Sequence, residues 1–215
     1  MIHIEEMGLA YMAVPKAACS SVKAALATLD PTQKSSDSKN ISVDQAHEMY
    51  PTRRFRPHLW QQTTGAYRFT VVRDPIKRLF SAYSDRVVRR NELKHSPKLR
   101  AQSALPLDPD PDAFFSNLAQ FQEMSSVIKH HTVGMWLFTG RDLDAYDRVF
   151  TTAELSKLAS ELTRRTKKTV EMPKANSSKN ALQISDLSAD AQAQLRRATR
   201  NDFDVFGKLF EDPFA

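Results

Sequence analysis

Twice in this chain a short apolar run stops at a basic residue and a helix pattern begins. Residues 8–14, GLAYMAV, are continuously apolar and of strand length, and Pro15-Lys16 ends them. From Cys19 to Leu29 the apolar residues Val22, Ala25, Leu26 and Leu29 fall at the i, i+3, i+4, i+7 spacing of one helix face. The second instance is residues 67–72, YRFTVV, rich in β-branched and aromatic side chains and closed by Arg73. Asp74-Pro75 then makes a helix start, with an acceptor at the cap and a fixed φ at the first helical position. The helix predicted there runs to about Asn91 on an apolar stripe of Ile76, Leu79, Phe80, Tyr83 and Val87. Strands separated by helices predict an α/β fold: a central, mainly parallel sheet flanked by helices in three layers.

The remaining segments fit that plan. The apolar part of MIHIEEMGLAY reads as a first strand, and SVDQAHEMY as a short helix capped by Ser42. Helical stretches are expected over 111–139. YDRVF (146–150) reads as a strand, and Thr151 or Thr152 caps a helix through Arg165. A terminal helix spans about Ser188–Leu209, anchored by Phe203, Phe206 and Phe210. Polar connections are expected at 31–42, 94–112 and 174–180. No internal repeat interrupts the 215 residues, so one domain, 1–215, is expected.

No apolar run approaches the roughly 20 residues that cross a bilayer, and the N-terminus is acidic where a secretion signal is basic. A cytoplasmic protein without a transmembrane segment, or a catalytic domain cut from a longer one, is therefore expected. The single Cys19 excludes an intrachain disulfide or a cysteine-cluster metal site, and no metal constellation is evident. Lys and Arg total 31 against 25 Asp and Glu, a charge of +6 that suits an anionic partner without naming it.

The two strand ends are where anions would bind. A strand-to-helix turn leaves the first helical amides without intrahelical partners, and the helix dipole adds positive potential there. The backbone must come close to the anion, and Ala17, Ala18, Cys19, Ser20 and Ser21 are small enough to allow it without glycine if no position needs φ > 0. Lys16 adds a mobile charge and the serines add hydroxyl donors. At the second strand end, Arg73 stands where ligands of open α/β sheets gather. Asp74, Arg78, Ser81 and Asp85 follow on one helix stripe, so Arg73 and Ser81 suit a second phosphate. A plain turn with an exposed lysine, and a solvent-facing stripe with an Arg78–Asp74 or Arg78–Asp85 pair, are the bland alternatives.

VPKAACSSVKAAL and FTVVRDPIKRLFSAYSDRV together resemble the two cofactor signatures of the sulfotransferases. The similarity is closest to the carbohydrate sulfotransferases of the Golgi type and their bacterial relatives. YDRVF, MPKANSSKN and RNDFDVFGKLF resemble later family blocks, in order and near spacing. The resemblance implies a P-loop-like fold, with 3′-phosphoadenosine 5′-phosphosulfate as sulfuryl donor and adenosine 3′,5′-bisphosphate as product. It implies that Lys16 and the loop through Ser21 hold the 5′-phosphosulfate, Lys16 being also catalytic, and that Arg73, Arg78 and Ser81 hold the 3′-phosphate. The acceptor would be a hydroxyl, most readily on a carbohydrate.

Such a transfer wants a general base for the acceptor hydroxyl. His58 in RPHLW is the first candidate, with His131 and Glu48 as alternatives. Asn176, Ser178 and Lys179 can close over the site or be ordinary surface loop. A nucleotide kinase fits poorly, because G-x-x-x-x-G-K-[ST] is absent and Lys16 precedes the small residues. A nucleic-acid-binding module lacks a recognisable motif. A non-catalytic nucleotide- or polyanion-binding protein on the same fold is the remaining alternative, though it would be expected to lack Lys16 or the Arg73–Ser81 pair.

Overall fold

The computed structural model describes residues 1–32, 41–102, 104–172 and 182–215. Asn176, Ser178 and Lys179, and most of the 31–42 connection, lie outside the described residues. In chain order the elements are β1 (Ile2–Ile4), β2 (Leu9–Met12), α1 (Cys19–Leu29), α2 (Val43–Met49), α3 (Pro57–Gln61), β3 (Tyr67–Val72) and α4 (Pro75–Ala82). A π-helix (Tyr83–Arg89) continues α4. Then come α5 (Pro97–Gln102), α6 (Pro111–Ser116), α7 (Leu118–Met124), α8 (Ser126–Thr132), α9 (Trp136–Thr139), β4 (Arg148–Thr151), α10 (Leu155–Thr166) and α11 (Ala189–Phe206). They fall into two compact units, each discontinuous in sequence. One holds Met1–Arg73 and the chain from Met135 through α10; the other holds Asp74–Gly134 and the C-terminal segment.

The first unit carries the sheet, in the order β1-β2-β3-β4. β1 runs antiparallel to β2 through a tight turn that closes at Gly8, whose φ of 58° a glycine adopts without strain. β2, β3 and β4 are mutually parallel, with Met12 opposite Thr70 and Val72 opposite Thr151. Their carboxyl ends therefore lie at one edge, which brings the loop after β2 and Arg73 after β3 to the same side. Alternate residues sort to two faces. Leu9, Tyr11, Tyr67, Phe69 and Val71 join the apolar stripe of α1 and Leu158 and Leu162 of α10 in one cluster. Tyr11, Phe69 and Tyr67 stack along it. Met12 points the other way, against Trp60 of α3 and Tyr146. The sheet thus lies between two covered faces, as the alternation of strands and helices requires.

The second unit is helical. Ile76, Leu79, Phe80, Tyr83 and Val87 are all buried, against Phe114, Phe115 and Phe121 and against Leu195 and Phe203 of α11. Three expectations need correction here. The helix after Arg73 does extend as far as anticipated, but from Tyr83 it is wound wide, with the Arg90 amide donating to the Asp85 carbonyl five residues back. The 94–112 connection contains α5, begun by Ser96-Pro97, a cap and first-position pair of the kind that starts a short helix. The stripe of Asp74, Arg78, Ser81 and Asp85 does not face solvent, because Arg78 and Asp85 are buried. Among the described residues no helix is long and apolar enough to cross a membrane.

Candidate functional site

The loop between β2 and α1 has an unusual backbone. Lys16 (φ 66°) and Ala18 (φ 58°) are left-handed on either side of Ala17, which is not. Neither is glycine, and each such residue costs roughly 1–2 kcal/mol in steric strain. This corrects the expectation that small residues would serve only if positive φ were avoided: alanine and lysine are held there against their preference. Strain of this kind collects where the backbone shape has a use. Alternating backbone handedness turns successive amides inward and makes a concavity suited to an anion.

The start of α1 reinforces that shape. α2, α4, α6, α8 and α11 each begin on a Ser or Asp whose side-chain oxygen accepts a first-turn amide. α1 begins on Ala18, which has no oxygen to offer, and its first turn contains no acidic residue. The Cys19, Ser20 and Ser21 amides and the positive end of the helix dipole are therefore available to a ligand. Ala17 and Cys19 are buried and contribute only backbone. Ser21 is 4 % exposed, so Ser20, partly exposed, is the hydroxyl better placed to meet a ligand.

Arg73 is brought to this loop: its Nη1 donates to the Lys16 carbonyl at 3.4 Å. The parallel register of β2 and β3 produces that meeting, since each residue leaves its strand at the same edge. Arg78 is placed otherwise. It is 1 % exposed and donates to the carbonyls of His131 (3.1 Å), Thr132 (3.4 Å) and Val133 (2.7 Å), and it pairs with Asp202 at 3.8 Å. Its guanidinium ties α4 to the end of α8 and to α11. Ser81 is partly exposed in the same unit.

His58 is exposed on α3 and Glu48 is exposed on α2. His131 lies in the second unit, its Nδ1 2.8 Å from the Val127 carbonyl.

Sequence reasoning missed His47 and Lys23. Lys23, on α1, is fully buried, its Nζ 3.0 Å from His47 Nδ1 and 2.6 Å from Thr52 Oγ1. The other ring nitrogen, Nε2, is 2.8 Å from Ser20 Oγ. Desolvation pulls the Lys23 pKa down. The signal in the sequence was a lysine set among the small and apolar residues of VKAALATL, of which Val22 and Ala24 to Ala27 are all buried.

At the carboxyl edge of a mainly parallel sheet, a strained glycine-free loop leads into an uncapped helix and is met by an arginine from the next strand end. No curated protein and no solved structure matches the chain significantly. The family model described as "Sulfotransferase family" matches residues 1–209, nearly the whole chain and both units, and the chain belongs to the sulfotransferase family.

Proposed function

We propose that this sulfotransferase uses 3′-phosphoadenosine 5′-phosphosulfate as donor and acts on a carbohydrate hydroxyl, the two units forming one catalytic domain. The observation that carries the donor assignment is the left-handed pair Lys16 and Ala18 leading into the uncapped start of α1. Open amides, small side chains and a converging arginine fit a nucleotide with phosphate groups. When bound, the donor supplies the sulfuryl group and a phosphate on which charge develops during transfer. The amides of Cys19 to Ser21 and the Ser20 hydroxyl hold that end of the nucleotide. Lys16 stabilises the developing charge, an interaction worth most in the transition state. Arg73 braces the loop through the Lys16 carbonyl and faces the nucleotide's phosphates. His58 takes the acceptor proton.

Calorimetric binding of adenosine 3′,5′-bisphosphate to wild type, Lys16→Ala and Arg73→Ala tests the donor. Binding that weakens at least tenfold in Arg73→Ala, roughly 1.4 kcal/mol, with ATP binding poorly, is the expected result. No binding by wild type refutes it. His58→Gln should retain nucleotide affinity and lose turnover on a sulfatable sugar; unchanged turnover removes His58 as the base.

A further inference from the structure

His47 lies on α2, outside both motif stretches, yet it is hydrogen-bonded to the one accessible hydroxyl of the α1 start. The geometry points to His47 as a positioning residue: held by Lys23, it turns the Ser20 hydroxyl into a committed donor toward the anion in the loop. The inference rests on the nucleotide-binding reading above.

The argument is one of donors and acceptors. An ammonium has N–H donors and no lone pair. Lys23 Nζ, 3.0 Å from His47 Nδ1, therefore donates to it, and Nδ1 carries no proton. A neutral imidazole has one N–H, so it stands on Nε2, the nitrogen that faces Ser20 Oγ at 2.8 Å. Nε2–H donates to Oγ, and the hydroxyl proton of Ser20 points elsewhere. Were the ring reversed, with its proton on Nδ1, Ser20 would donate to Nε2 and present only lone pairs to a ligand, which repel phosphate oxygens. The buried lysine thus selects the tautomer, and the tautomer selects the direction of the hydroxyl.

Thr52 makes the arrangement firm. It accepts from Nζ at 2.6 Å and gives the lysine a second anchor beside the ring nitrogen. Ser42 fixes α2 itself, through a reciprocal cap with Gln45, so His47 sits on a defined helix and not on a loose segment. The ring is only partly buried, so its substitution need not unfold the protein.

The experiment has two arms. Nitrogen NMR of the ring in the free protein reads the tautomer directly: the proton on Nε2 is expected, and the proton on Nδ1 overturns the inference. Adenosine 3′,5′-bisphosphate binding is then measured by calorimetry in wild type, Ser20→Ala, His47→Phe, His47→Gln and the double variant Ser20→Ala/His47→Phe. His47→Phe should weaken binding about as much as Ser20→Ala, on the order of tenfold, and the double variant should be no weaker than Ser20→Ala alone. His47→Gln, whose amide nitrogen can take the place of Nε2–H, should recover most of the affinity. Independent, additive losses, or full affinity in His47→Phe, overturn the inference while leaving the nucleotide assignment intact. Failure of wild type to bind refutes the nucleotide assignment, and this inference with it.

Discussion

Replacing Arg78 by Met decides whether that residue is a tether or a ligand contact. The side chain is 1 % exposed, with two carbonyl bonds of 2.7 and 3.1 Å and a longer one of 3.4 Å. Asp202, also 1 % exposed, stands 3.8 Å away. Met preserves bulk and removes every donor, so the carbonyls of 131–133 lose the Arg78 guanidinium and the buried Asp202 carboxylate loses an opposite charge at 3.8 Å. Breaking one side of a buried ion pair costs about 3–5 kcal/mol, and a chain of this size loses roughly 2–4 °C in Tm per kcal/mol. Thermal unfolding followed by circular dichroism should therefore drop by on the order of 10 °C. The double variant Arg78→Met/Asp202→Leu should regain part of the loss, because an apolar pair leaves no stranded charge. A melting temperature within about 2 °C of wild type, alongside a hundredfold loss of nucleotide affinity (about 2.7 kcal/mol), would refute the tether reading and restore Arg78 to the phosphate site.

Two further outcomes test the loop and the surface. Ala18→Gly removes a left-handed penalty of roughly 1–2 kcal/mol and adds about 0.4–1 kcal/mol of unfolded-chain entropy. Denaturant unfolding should show a gain of about 0.5–1 kcal/mol, whereas Ala18→Val should destabilise; a loss in the glycine variant contradicts the left-handed assignment. At the end of α10, hydrogen bonds from Arg164 and then Arg165 hold the Glu161 carboxyl down at about 2. A folded pKa below the unfolded value of about 4.3 gives stability that is present above pH ~4.3 and fades as pH falls toward 2. The pair is at the surface, so Glu161→Gln should cost less than about 1 kcal/mol at neutral pH and lessen the acid sensitivity in that window. Unfolding curves taken at several pH values check both.

What could be read in advance was what local pattern determines. Cys19–Leu29 and Tyr67–Val72 were placed to the residue, because a 3.6-residue stripe and a β-branched run each carry their own signal. Ser42 and Asp74 were legible as caps for the same reason. The partnerships were not legible. Lys23 becomes a core lysine only because His47 and Thr52, more than twenty residues on, come to meet it. Arg78 looks like a surface cation until the backbone carbonyls of 131–133 arrive beside it. Carbonyls leave no mark in an amino-acid string. Nor do left-handed alanine and lysine, since the residues that usually announce such a backbone are glycine and asparagine. The π-helix after Ala82 likewise preserves the apolar stripe that suggested an ordinary helix.

The absence of glycine from the loop also bears on how fast the site can work. A glycine loop wanders among many backbone states when empty and must be ordered by its ligand. Lys16, Ala17 and Ala18 have far fewer conformations open to them, and the neighbouring β2 and α1 already hold the shape. On the donor reading proposed above, arriving nucleotide should meet a receptor that needs no folding step, so association is set by diffusion and by attraction to the positively charged protein. Adding salt should then slow capture of the nucleotide, while the loop itself imposes no separate conformational phase on the binding trace.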